Sequence, residues 1–176
     1  MKLDYKKSLR KTGAFLLALL LYYVIHEGAH LIYALFAGSF KQINFLQMGV
    51  QIETYRERMS GVQTGLFCLA GPVITILLSY ALFFCKGWIL QRKSLLFRAA
   101  AYYVTLLFML NDPVYLSVLY PYVGGGDMNG IALLLPENAA RTIFVVIFLM
   151  NIVLIFRYLI PAYGSAYRET ERSEKV

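Results

Sequence analysis

His26-Glu27-Gly28-Ala29-His30 is the stretch of this chain whose residue types and spacing most directly describe a reaction. On a helix, positions i and i+4 share a face, so both imidazoles can reach one metal ion. Glu27 lies about 100° around the same helix, near enough to a water at that ion to take its proton without being a ligand. Two histidine ligands, an open water position and a nearby carboxylate suit zinc hydrolysis. In a soluble protein the same spacing occurs on ordinary polar helix faces. Here it lies inside an apolar run from Phe15 to Ala37, and these are the chain's only histidines. Ionisable groups in such a run are costly without partners, so the pattern points to a bound metal, with Zn2+ the expected ion.

A two-histidine site needs at least one more protein ligand, and few residues qualify. Glu53, Glu57 and Glu137 are expected near membrane interfaces. Asp112 lies in Asn111-Asp112-Pro113, and Asp127 in Gly124-Gly125-Gly126-Asp127-Met128-Asn129-Gly130. A carboxylate at membrane depth is a functional candidate by default. Each also has a plainer reading: Asp127 as a turn residue, and Asp112, with Asn111, as a partner for backbone freed by Pro113.

These groups must be positioned by membrane-spanning elements. Of 176 residues, 59% are apolar and 15% charged, against about 45–50% and 25% in soluble domains. That excludes a disordered chain, a collagen-like one and an ordinary soluble domain. Four apolar segments, about Thr12 to Ala37, Gly61 to Cys85, Leu95 to Tyr120 and Ala139 to Tyr163, are each long enough to cross a ~30 Å hydrocarbon core as a helix. The expected fold is an all-α membrane protein of about four transmembrane helices, one domain over residues 1–176 with no soluble sensor attached. The first segment is too long for a signal peptide and lacks a clear cleavage site. The polar tail from Gly164 is expected to fray. Cys68 and Cys85 read as packing residues.

Two connections carry structure of their own. Phe40 to Tyr55 alternates in two phases, Ile43 and Phe45 on one and Met48, Val50 and Ile52 on another, with Gly49 at the change. That pattern fits a β-hairpin at the membrane surface or an irregular interfacial loop. Pro121 to Gly130 is a glycine-rich break, followed by an apolar run, Ile131 to Leu135, too short to span. It fits a re-entrant piece or a continuation of the third helix.

The net charge of +7 reflects basic residues flanking apolar segments, so it indicates membrane topology and not nucleic-acid binding. Lys2, Lys6, Lys7, Arg10, Lys11, Lys86, Arg92, Lys93, Arg98, Arg157, Arg168, Arg172 and Lys175 fall on one side of a four-crossing arrangement. Lys41, Arg56, Arg58 and Arg141 fall on the other. The count predicts a multi-pass protein of the cell membrane with both termini in the cytoplasm.

The chain resembles the site-2 protease family of intramembrane zinc metalloproteases, on three features in order. They are His26 to His30 in an apolar helix, Leu69-Ala70-Gly71-Pro72 in the next, and Gly126-Asp127 further on. The ribbon after the first helix is similar to the family's membrane-associated β segment. The resemblance implies His26, His30 and Asp127 as metal ligands, Glu27 as catalytic base and Asn111 as a substrate-binding residue. It implies a transmembrane protein or peptide as substrate, cleaved in regulated intramembrane proteolysis. The chain departs from the family in the tight spacing of Asn111-Asp112-Pro113, the long gap to Asp127, and Met128 where Gly is usual; Asp112 is the alternative third ligand. The charge count also runs the first helix opposite to the family's usual direction. A non-proteolytic zinc-binding membrane protein of the same fold is the alternative function, and a His/Asp proton relay a third.

Overall fold

A computed structural model describes residues 5–46 and 49–173 of the chain. Four helices are long and apolar enough to cross a membrane. The first is α1 (Tyr5–Phe36); a short antiparallel hairpin follows, β1 (Phe40–Leu46) and β2 (Gly49–Thr54). Next come α2 (Gly61–Phe84), the one-turn α3 (Lys86–Leu90) and α4 (Leu95–Val114). A π-turn at Tyr115–Leu119 carries α4 into α5 (Tyr120–Val123), and α6 (Gly126–Ile131) doubles back against α2. The last crossing is α7 (Glu137–Leu154), a second π-turn at Ile155–Leu159, and α8 (Ile160–Ser173).

The buried residues of α1 are Ala14, Ala18, His26, His30 and Ala34, which lie along the i+4 ridge of the helix. Small residues there let neighbouring backbones approach closely. Ala14 packs on Ala99 and Ala100 of α4, and Ala18 on Val104 and Phe108. The ridge that makes the packing therefore also carries both histidines inward.

Prolines interrupt the third crossing, and the fourth repairs it. Pro113 cannot donate to the carbonyl four residues back, that of Met109, which instead accepts a 2.6 Å hydrogen bond from Asn151 Nδ2. Pro121 likewise leaves the Ser117 carbonyl free, and Arg141 Nε donates to it at 3.2 Å. Asn151 also accepts from the Tyr80 hydroxyl at 2.8 Å, joining three crossings at one buried amide. Asn151 is thus interhelical packing, and it takes the role of satisfying Pro113's freed carbonyl that the sequence suggested for Asn111 and Asp112.

Three local expectations are refined. The Phe40–Tyr55 segment is a hairpin, with Ile43 opposite Ile52 and Phe45 opposite Val50. The change of phase brings the apolar residues of both strands to one face; Met48 lies outside the described residues. Lys41 Nζ meets Glu53 Oε1 at 2.5 Å. That hydrogen bond holds the Glu53 carboxyl below its ordinary pKa and the Lys41 ammonium above its own. The glycine-rich break both continues the third helix, to Val123, and then reverses it. Gly124 and Gly125 take positive φ of 67° and 151°, conformations that favour glycine. Finally, the tail is helical through Ser173 because Tyr163 and Tyr167 pack into the bundle beside Tyr102 and Arg98.

Candidate metal centre

His26 and His30 project from α1 toward α2 and α6, and their Nε2 atoms lie 3.1 Å apart. The first turn of α6 brings Asp127 to the same point, Oδ2 at 3.2 Å from His26 Nε2 and Oδ1 at 3.5 Å from His30 Nε2. These three residues form a group able to hold a metal ion. The two histidines are buried and Asp127 is half-buried.

The opposite ring nitrogens are held by acceptors. His30 Nδ1 donates to the Phe67 carbonyl at 2.7 Å. His26 Nδ1 lies 3.3 Å from Asp112 Oδ1 and 3.4 Å from the Tyr22 hydroxyl. Because a carbonyl and a carboxylate only accept, both imidazoles carry their proton on Nδ1. Their Nε2 lone pairs then face each other and the Asp127 carboxylate. Three acceptors converging on one point need a cation between them, either an added proton shared in an ion pair or a metal ion.

Asp112 completes a network behind His26. Its Oδ1 accepts from the Tyr22 hydroxyl at 2.6 Å and its Oδ2 from Thr75 Oγ1 at 2.5 Å. The carboxylate is fully buried yet has donors on both oxygens, so its burial is compensated. Of the two aspartates open at the sequence level, Asp127 stands at the Nε2 edges and Asp112 behind the ring. Thr75, one turn after Gly71 on α2, is the network member contributed by the second crossing.

Gly71 explains how α2 comes so near. A Cβ there would lie 2.6 Å from His30 Nε2 and 2.7 Å from His26 Nε2, so any side chain would occupy the space where the nitrogens converge. Gly130 and Gly65 make the same close approach between α2 and the returning segment: a Cβ on Gly130 would overlap Cys68, and one on Gly65 would overlap Leu134. At the break itself, a Cβ on Gly125 would meet Tyr115 Oη at 1.3 Å, and that hydroxyl donates to the Gly124 carbonyl at 2.9 Å. Tyr115 thereby pins the backbone that delivers Asp127, a role that sequence spacing gave no sign of.

A cleft of about 870 Å3 opens over the site, lined by Glu27, His30, Phe67, Cys68, Gly126 and Asp127 together with the whole of β2. The Glu27 carboxylate meets the backbone N–H of Ile52. That edge of β2 therefore faces the cleft, and Val50 and Thr54, of the same parity, present their backbone groups to it as well. Asn111 is exposed on α4 and reaches Tyr22; it stands on the Asp112 side of His26, away from the cleft lining.

No protein-family model, curated protein or solved structure matches the chain, so its function has to be read from these residues.

Proposed function

We propose that this protein is an intramembrane zinc endopeptidase, with Zn2+ held by His26, His30 and Asp127 and with Glu27 as catalytic base. The observation that carries the reading is the spacing of the three donors. Atoms about 2.0–2.1 Å from a tetrahedral ion lie roughly 3.3 Å apart; here the two Nε2 atoms lie 3.1 Å apart, and the Asp127 carboxylate spans them, with Oδ2 3.2 Å from His26 Nε2 and Oδ1 3.5 Å from His30 Nε2. Two features support it. Metal-bound histidines commonly donate their second N–H to a carboxylate or a backbone carbonyl, as His26 and His30 do toward Asp112 and Phe67. Gly71 also leaves clear the space that an ion needs.

Zn2+ in that position supplies Lewis acidity, which polarises a peptide carbonyl and acidifies water. Glu27, in the same cleft, takes a proton from the attacking water as its oxygen bonds to the carbonyl carbon. It returns that proton to the amide nitrogen as the C–N bond breaks. A helical substrate hides its amides, so the scissile segment must first unwind. The β2 edge that faces the cleft can then hold it as an added strand. Oriented by the charge count, the cleft opens toward the side opposite the cytoplasm.

The test uses the full chain with transmembrane peptides, with zinc removed and restored. Glu27→Gln is expected to keep stoichiometric zinc while cleavage falls about 10²-fold or more. Full activity in Glu27→Gln would remove Glu27 as base. Zinc bound by wild type with no peptide cut would favour a non-proteolytic metalloprotein, and no zinc in wild type would favour the proton-sharing reading of the three acceptors.

A further inference from the structure

At the end of the bundle away from the cleft, a pocket of about 370 Å3 lies between the start of α1, the start of α4 and α8. Lys7, Arg10 and Lys11, at i, i+3 and i+4 of one helix face, form one wall, and Tyr102, Tyr163 and Tyr167 form much of the other. No carboxylate is among the described residues that line it.

Two side chains beside this pocket carry polar atoms without partners among the described residues. Tyr163 is 2% exposed, and its hydroxyl is buried with no hydrogen-bond partner among the described residues. Arg98, counted from the sequence as a flanking topological charge, is instead 6% exposed within the first turns of α4. Its guanidinium lies 5.0 Å over the Tyr167 ring. Nη1 meets Thr170 Oγ1 at 3.3 Å, while Nε and Nη2 are buried with no partner among the described residues. Buried donors without acceptors are costly, and those on a charged group more so. Arg10 and Lys11 on the wall, an orphaned hydroxyl and a half-satisfied guanidinium behind it call for an anion with several acceptor oxygens.

We propose that this pocket binds a phosphate ester, and that its source is the headgroup of an anionic phospholipid. The basic residues sit at the level where helix ends meet headgroups. The rim also continues into apolar surface suited to acyl chains: Ile160 lines the pocket, and Phe15, 41% exposed, packs edge-on to the lining Tyr103 at 5.8 Å. Lys7 and Arg10 are half-buried and Lys11 exposed, so the charge is presented to the headgroup without being sealed from it. This site is separate from the metal centre, and a bound lipid there would tie α1 to α4 and α8.

Native mass spectrometry of the full chain in neutral detergent tests the proposal. The protein is titrated with phosphatidylglycerol, with phosphatidylcholine, and with inorganic phosphate as the soluble probe. Wild type is expected to form a saturable adduct with phosphatidylglycerol in preference to phosphatidylcholine. The double variant Arg10→Gln/Lys11→Gln should weaken that adduct about tenfold or more, and Tyr163→Phe about tenfold, with thermal unfolding confirming that both fold. A saturable inorganic-phosphate adduct lost in the same variants, without a lipid preference, would keep the phosphate site and overturn its lipid source. Equal phosphatidylglycerol binding by wild type and both variants, or no saturable adduct with any probe, overturns the proposal.

Discussion

At the scale of single residues, the two aspartates are chemically alike and differ only in which nitrogen of His26 they meet. Asp127 faces Nε2, where the lone pairs converge, and Asp112 faces Nδ1, where it fixes the ring and its tautomer. A carboxylate behind a ligating histidine raises its basicity and orients it. Replacing Asp112 by Asn should therefore weaken zinc binding about 10–100-fold and leave a measurable site, whereas Asp127→Ala should remove stoichiometric binding. Chelator competition on the purified variants reads both, and the reverse ranking would exchange the two roles. Tyr22 and Thr75 donate to Asp112 and belong to the same positioning network. The HExxH pattern was legible because both histidines and Glu27 sit on one helix, where spacing alone sets relative direction. The choice between Asp112 and Asp127 was not, because it depends on how separate helices rotate against α1.

At the scale of elements, close approach is purchased with glycine. Gly71 lets α2 come up against both imidazoles, and an added methyl would lie within 2.8 Å of three ring atoms. Gly71→Ala is accordingly expected to abolish zinc binding while helix content, measured by circular dichroism, stays at the wild-type level. Gly28→Ala is the matched control, since a Cβ there meets nothing within 4 Å; it should bind zinc as wild type does. Loss of metal in both variants would assign the effect to general helix packing and not to crowding at the nitrogens. The hairpin was partly legible: alternation indicated strands, while pairing and the approach of the β2 edge to Glu27 came only with the fold. The glycine-rich break was visible as a break, but not Tyr115's contact with Gly124 and Gly125, which spans a π-turn whose extra residue shifts every later side chain.

At the scale of the whole molecule, the fourth crossing holds the third in shape. Asn151 and Arg141 donate to two carbonyls that Pro113 and Pro121 release, so α7 is fastened to the helix that carries Asp112. Asn151→Leu should destabilise the protein by about 0.6–1.7 kcal/mol, the range for interhelical hydrogen bonds in membranes, by exposing the Met109 carbonyl to an apolar surrounding and releasing Tyr80. The measurement is the midpoint of thermal unfolding in detergent, which should fall; an unchanged midpoint would show that Met109 finds another donor. Arg141 read from the sequence only as a charge on the minority side, and Arg98 only as one on the majority side. Both pack within the bundle, Arg141 on the Ser117 carbonyl and Arg98 over the Tyr167 ring; a charge count weighs residues by position along the chain and not by what packs around them.

Composition and periodicity by themselves determined that the chain holds four helices long and apolar enough to cross a membrane and that an HExxH pattern lies inside the first of them. The cost of burying backbone and ionisable groups in lipid leaves few alternatives, and that cost can be read residue by residue. Only the tertiary structure decided which carboxylate meets the histidines, which one stands behind them, which strand edge borders Glu27, and that Arg98 is buried beside a basic-walled pocket. Those outcomes depend on helix rotation, π-turns and glycine contacts between segments far apart in sequence, and no local pattern encodes the distance between two helices.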